Sequence, residues 1–238
     1  MDEIRLRRFS ASRISELLAK GKGKSKFKYI YDLGAEALGC KRELNTKEMK
    51  HGLVNQYDAF EIFRKYKGEC QWWDESMPYK ECLVATPDIL AEDFVADVKC
   101  QYSILNFHKQ NEVLPRKYWL QSQTQMLCAD KEIGYIVNYL SKPDVYNEEW
   151  EEYSFKENER IFIHKIERDE SILKIIESTA EENFPLIAKA EDMLGSATII
   201  DENDFFYQGK DFDELRELYW VDNKKEVFRF LDRFFVKK

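Results

Sequence analysis

Three residues carry the chemistry open to this sequence: Asp88, Asp97 and Lys99. Asp88 closes the string Thr86-Pro87-Asp88, and nine residues later comes Asp97-Val98-Lys99. Successive side chains of a strand point to opposite faces, so Asp97 and Lys99 share one face while Val98 points into a core. That leaves the Val98 carbonyl at the strand edge, beside the two carboxylates. Hard magnesium takes oxygen ligands in an octahedron at about 2.1 Å and keeps several waters, so two carboxylates, one carbonyl and a substrate phosphate suffice for it. A lysine beside the ion can hold and orient an attacking water. Taken alone the pattern is a weak signal, because acids and lysines are common and each acid by itself reads first as a solvated turn charge. Its weight comes from context: a turn after a strand, a strand bearing Asp-Val-Lys, then a helix carrying glutamines.

The elements that must position these groups follow from periodicity and punctuation. Ser10 to Ala19 reads as a helix with a serine cap and Ile14, Leu17 and Leu18 at helical spacing, broken by the Gly-Lys repeats at 21–24. A second helix is expected from about Lys28 to Leu38, ending at Gly39, and a third from about Lys47 to Tyr66, ending at Gly68. The third is expected to carry Met49, Leu53, Tyr57, Phe60 and Phe63 inward. Beyond Gly68, the stretches Cys70–Trp73, Cys82–Ala85 and Phe94–Cys100 are short and β-rich, which predicts an antiparallel meander. Pro115 opens a helix to about Ala129, and Ile133–Leu140 follows as an apolar strand. Helices are expected again at Glu167–Glu182, at Asp211–Leu218 and near Lys224–Phe234. The fold class is α/β: a mixed sheet with an antiparallel meander, flanked by helices, with a C-terminal helical extension. Residues 1–145 form the core and residues 146–238 the remainder of the same domain.

Charge is distributed unevenly. The chain carries a net −8, yet Ile4–Lys28 holds nine basic residues against Glu16 alone, so that segment is +8 and the rest −16. Counterion release from a polyanion needs a local cationic track and is indifferent to total charge. The Lys20–Lys28 run also fits a solvated loop. Five cysteines are widely spaced, with no C-x-x-C pair, so reduced, mostly buried thiols are expected and neither a zinc site nor an iron–sulfur cluster. His51, His108 and His164 are isolated, and no phosphate-binding G-x-x-x-x-G-K-[ST] loop for ATP is present. No apolar run approaches the ~18 residues that span a bilayer, so a soluble, intracellular protein is expected.

Four stretches, in order, resemble the phage lambda exonuclease and YqaJ-type viral recombinase family of the PD-(D/E)xK nucleases, whose core is restriction-endonuclease-like. They are Arg5-Leu6 with Ser10-Ala11-Ser12; Gly52 at the front of a long helix; Ala85-Thr86-Pro87-Asp88 with Asp97-Val98-Lys99-Cys100; and Tyr118-x-x-Gln121-x-Gln123-x-x-Met126. Together they cover about residues 5 to 140. The resemblance implies that Asp88, Asp97 and the Val98 carbonyl are metal ligands, that Lys99 is the catalytic lysine and that Gln121 stands beside the active centre. It implies a pocket for a 5′-phosphate at Arg5, Ser12 and Thr86, which suits an arginine fork and hydroxyls facing a terminal phosphate.

One departure stands out. Where the family usually has a glutamate four residues after the helix glycine, this chain has Gln56. Gln56 faces the core side of its helix and can ligate through its amide oxygen, without the charge. Asp58 and Glu61 lie around the helix from it, and Glu36 is a remote substitute. Gln121 is also open to a bland reading, a solvated helix glutamine. The resemblance implies a magnesium-dependent exodeoxyribonuclease, with manganese as substitute and two ions, that degrades linear duplex DNA from the 5′ end to mononucleotides and leaves a 3′ single strand. It further implies a homotrimeric ring, a single-strand annealing protein as partner, and a cytoplasmic setting in a bacterial host or prophage. The rival readings are a structure-specific or restriction-type endonuclease on the same core, and a catalytically weak DNA-binding module.

Overall fold

The computed structural model describes residues 3–19, 24–39, 46–101, 103–141 and 156–196, with two short strands, Thr198–Ile199 and Phe205–Phe206, paired antiparallel. The expected helices at 211–218 and 224–234 lie outside the described residues. A 3-10 turn at Glu3–Arg5 leads into a two-residue strand, β1 (Phe9–Ser10), then a 3-10 turn at Ala11–Arg13 and a single helical turn, α1 (Ile14–Leu17). The helix expected from Ser10 is thus shortened at its front. Phe9–Ser10 is drawn into extended geometry by parallel pairing with Leu83–Val84, and the Ser10 side chain caps nothing. Next come α2 (Lys24–Ala37) and α3 (Lys47–Lys67), the latter started by Met49 N donating to Thr46 Oγ1 at 3.3 Å and stopped at Gly68, whose φ of 87° few other residues adopt.

The meander is rearranged. Of β2 (Gln71–Trp72), β3 (Met77–Tyr79), β4 (Leu83–Ala85), β5 (Ile89–Leu90) and β6 (Phe94–Gln101), β4 leaves the main sheet to form a small sheet ordered β1-β4-β3. The antiparallel neighbour of β6 is β5, a pair of residues too short to show alternation. After β6 come α4 (Ile104–Glu112), which the sequence reading missed, and α5 (Arg116–Ala129), which carry the chain across so that β7 (Ile133–Leu140) lies parallel to β6. The chain closes with β8 (Ile161–Glu167), α6 (Glu170–Asn183) and α7 (Pro185–Ser196). The main sheet runs β2-β5-β6-β7-β8, so it is mixed, as expected.

Its two faces are covered differently. Phe94, Ala96 and Val98 meet Ala59, Phe60 and Phe63 of α3 on one face, where the rings of Phe63, Phe94 and Tyr135 contact edge to face at 5.1–5.9 Å. Val95 meets Met126 of α5 on the other, with Ile136 and Ile166. The α5 helix is buried along its middle, from Leu120 through Leu127, because it also faces α1 and α6. Strand and helix approach closely at Gly134, where a Cβ would stand 2.2 Å from Ser122 Oγ. On α3 three of the five residues expected inward are exposed. Phe60 and Phe63 are buried, but Met49, Leu53 and Tyr57 are 42%, 70% and 55% exposed, and among the described side chains the buried positions of the first turns are His51 and Asn55. No helix among the described residues is long and apolar enough to cross a membrane.

Candidate active site

Strand β6 and helix α5 hold the centre of the site between them. Asp97 and Lys99 point from β6 toward α5, and Val98 is buried on the opposite face, as alternation requires. Asp97 Oδ1 accepts from Gln121 Nε2 at 2.5 Å and from Gln125 Nε2 at 2.7 Å, while Oδ2 lies 2.5 Å from Lys99 Nζ. Lys99 Nζ in turn donates to Gln121 Oε1 at 3.1 Å and sits 4.8 Å above the Tyr118 ring. Tyr118, Gln121 and Gln125 recur at i, i+3 and i+7, which aligns them as one stripe. Gln121 is therefore 6% exposed and fully engaged, and the solvated reading of it fails.

Asp88 arrives from the other side, on the turn between β4 and β5. Its amide donates to Ala96 O at 3.1 Å and its carbonyl accepts from Trp73 N at 2.9 Å, which stitches the turn to β6 and to the residue that follows β2. Its Oδ2 accepts from Val98 N at 2.7 Å. Strand β5 pairs with β6 only as far as Ala96, so beyond that point the edge of β6 is open and the carboxylate takes the place of a strand. The carbonyl of a strand residue faces the same edge as its own amide, which puts the Val98 oxygen on the Asp88 side. Burial, and then the Asp97 carboxylate, push the Asp88 carboxyl up to about 7, against the opposing pull of Lys99 and the Val98 amide. For Lys99 burial works downward, but Asp97 and Asp88 outweigh it and the ammonium is held above its ordinary value.

One cavity of about 360 Å³ gathers the rest. It is lined by Asp88, Asp97, Lys99 and Gln121, by Gln56, and by Arg5, Ser12 and Thr86, so every side chain that the family resemblance assigns to the site opens onto it. Ser10, Leu53 and Gln125 also line it and had been given no part in the chemistry. Gln125 was visible in the i, i+3, i+7 stripe, whereas Ser10 and Leu53 had been assigned to a helix cap and a core. Gln56 is half-buried in the cavity wall, on the front half of α3. Glu36, Asp58 and Glu61 do not line the cavity, and among the described residues no group of three or more His, Cys, Asp or Glu is brought together. Thr86 Oγ1 lies 3.1 Å from Ser76 Oγ, and the exposed Arg5 side chain has no carboxylate partner among the described residues.

The basic segment is less free than its composition implies. Arg7 pairs with Glu191 at 2.6 Å, and Arg13 is held by Glu16 at 2.7 Å and by the buried Asp32 at 2.6 Å. Arg13 also lies 4.0 Å over the Tyr29 ring. These two arginines brace the N-terminal turns and are withdrawn from any cationic track; Lys20 and Lys22 lie outside the described residues.

The YqaJ-like viral recombinase domain model matches residues 2–132, over half of the chain and all of the cavity's side chains. The chain belongs to the YqaJ-like viral recombinase family. No curated protein matches it. Among solved structures, this YqaJ-like chain resembles the alkaline exonuclease LHK-Exo from Laribacter hongkongensis with a TM-score of 0.64 at 22% identity, over 79% of this chain and 91% of that one. LHK-Exo has also been solved in complex with dAMP. A phage-related exonuclease from Haemophilus somnus 129PT gives the same TM-score at 17% identity, over 79% of this chain and 95% of that one. The shared fold is the PD-(D/E)xK one expected from sequence.

Proposed function

We propose that this YqaJ-like protein is a metal-dependent exodeoxyribonuclease that degrades linear duplex DNA from a 5′-phosphorylated end. The observation that carries the reading is the convergence of Asp88, Asp97 and Lys99 with Arg5, Ser12 and Thr86 on one cavity. A divalent cation fits the donors. Two carboxylates close enough that Asp97 raises the Asp88 carboxyl share a single ammonium, so the site holds more negative charge than Lys99 neutralises. Asp88, Asp97, the Val98 carbonyl and the Gln56 amide oxygen would hold magnesium or manganese, and a second ion would depend on the phosphate for its remaining ligands. Such an ion neutralises phosphate charge and makes its bound water a stronger nucleophile.

The chain's own groups do the rest. The Arg5 fork and the Ser12 and Thr86 hydroxyls would receive the terminal phosphate, which fixes the register of the strand in the cavity. Lys99, held by Asp97 and Gln121, presents an ammonium that orients a water toward phosphorus and stabilises the charge that develops there. Gln121 links Asp97 to Lys99, so it keeps both from turning away. Products would be mononucleotides and a 3′ single strand, the substrate of an annealing protein in phage-type recombination, and the working form would be a homotrimeric ring around the duplex. The test is digestion of linear duplex carrying distinguishable labels at its 5′ and 3′ ends, beside a circular duplex, in magnesium and then EDTA. The reading expects loss of the 5′ label as mononucleotide, an intact circle and no reaction in EDTA. A cleaved circle, or early release of the 3′ label, would overturn it.

A further inference from the structure

Behind the Ser12 hydroxyl stands a fully buried tyrosine that no sequence pattern singled out. Tyr29 of α2 is 1% exposed, and its phenol oxygen meets the N-terminal turn twice: it accepts from Ser10 N at 2.6 Å and lies 3.1 Å from Ser10 Oγ. Ser10 Oγ is in turn 3.2 Å from Ser12 Oγ, and both serines line the cavity. The ring is clamped by the Arg13 guanidinium 4.0 Å above it and by the edge of Phe9, with centroids 5.6 Å apart. Arg13 is fixed by Asp32 and Glu16.

Proton counting gives this chain of hydroxyls a direction. Burial pushes the Tyr29 phenol up to about 12, against the pull of its Ser10 contacts and Arg13, so the oxygen carries one hydrogen near neutral pH. The Ser10 amide already donates to that oxygen, and among the described residues the remaining acceptor within reach of the phenol is Ser10 Oγ. Ser10, accepting from Tyr29, can direct its own hydrogen to Ser12 Oγ. Ser12 then accepts from behind and has its O–H free for the cavity. A phosphate oxygen only accepts, so a hydroxyl set as a donor is complementary to it and one set as an acceptor is not. Polarisation along a run of hydrogen bonds strengthens the last donor further.

We propose that Tyr29 is a positioning residue for the anion subsite: through Ser10 it sets the Ser12 hydroxyl as a donor to the terminal 5′-phosphate. The proposal rests on the 5′-phosphate reading of this cavity and adds the residue that gives the subsite its polarity. The test is binding without turnover. Affinities of the full-length protein for blunt hairpin duplexes ending in 5′-phosphate or 5′-hydroxyl are measured by fluorescence anisotropy in EDTA, for the natural protein, Tyr29→Phe and Ser10→Ala. Both variants keep the Ser12 hydroxyl and remove only what orients and polarises it, so the preference for the phosphorylated end should fall by about two- to fourfold in both. A merely structural Tyr29 would lower the thermal midpoint and leave the ratio of the two affinities alone. An unchanged ratio in both variants overturns the relay. Absence of any preference in the natural protein overturns the phosphate reading beneath it, and the two failures are told apart by which protein shows them. Should Tyr29→Phe not fold, Ser10→Ala still breaks the relay at its middle link and decides it.

Discussion

The two ends of the cavity are built by different means. At the carboxylate end, Asp97, Lys99, Gln121 and Gln125 hang from a central strand and a buried helix, and each reaches its neighbours by the ordinary repeat of its element. At the anion end, Arg5, Ser10 and Ser12 sit on two 3-10 turns and a two-residue strand, and their positions depend on tertiary braces: Tyr29 below, Arg13 with Asp32 behind, and Arg7 tied to Glu191. On the proposed reading, the groups that hold reacting atoms are carried mainly on regular elements, with Asp88 on a turn pinned to β6 through the Ala96 carbonyl and the Val98 amide. The groups that receive a chain end are carried mainly on turns, whose irregular backbone can wrap an anion.

This contrast is broken most sharply at Lys99. Lys99→Ala removes the ammonium and no surface that tracks the backbone, so cleavage should fall by about 10²–10⁴-fold with duplex affinity nearly retained. Near-normal single-turnover rates in a folded variant would remove Lys99 from the chemistry. Arg5→Ala strikes the other end. A charged hydrogen bond of about 1.5–3 kcal/mol should vanish, slowing 5′-phosphorylated ends by roughly ten- to a hundredfold while 5′-hydroxyl ends change little. Equal losses on both ends would make Arg5 a general contributor to DNA binding.

Gln56→Glu tests the missing carboxylate. If the cavity gathers divalent cations as proposed, one more negative charge there should lower the magnesium midpoint of initial rates about tenfold or less, with maximal rate equal or higher, and calorimetry with manganese should show the same tightening. An unshifted midpoint would place Gln56 outside the ion's reach. The smallest effect expected is on stability. Folding raises the Asp88 carboxyl from 3.8 to about 7, so the folded state binds that proton more tightly than the unfolded chain. The contribution is fully present below the unfolded value and is lost as pH rises through about 7. In EDTA the thermal midpoint should therefore fall by a few degrees between pH 5 and pH 8, and Asp88→Asn should flatten the trend. A midpoint that rises over this range in EDTA would contradict the crowded pair.

How much of this was legible in sequence follows the same division. Asp97, Val98 and Lys99 could be placed from alternation alone, and β7 was read at its observed bounds, because both strands are long enough to show their period. The pairing of β5 and the departure of β4 were not legible. A two- or three-residue strand has no period, and its partner is chosen by contacts distant in sequence. The front of α3 misled for another reason: Met49, Leu53 and Tyr57 follow a helical apolar repeat, but Leu53 opens onto the cavity, Tyr57 lies against Trp72 at the sheet's edge strand, and His51 and Asn55 take the buried positions. Arg7 and Arg13 counted as free charge until Glu191 and Asp32, far along the chain, were placed beside them. Tyr29 carried no signal, since a buried tyrosine in a helix reads as core.

The central claim, that one cavity catalyses at one end and captures a phosphorylated terminus at the other, is tested most directly by a ratio. Single-turnover kcat/KM is measured on linear duplex with 5′-phosphate and with 5′-hydroxyl ends, for the natural protein, Lys99→Ala and Arg5→Ala, in saturating magnesium. The account predicts that Lys99→Ala lowers both rates by a common factor and leaves their ratio intact, whereas Arg5→Ala collapses the ratio toward one. If the two variants alter the ratio alike, or if Lys99→Ala spares one kind of end, the division of labour within the cavity is wrong.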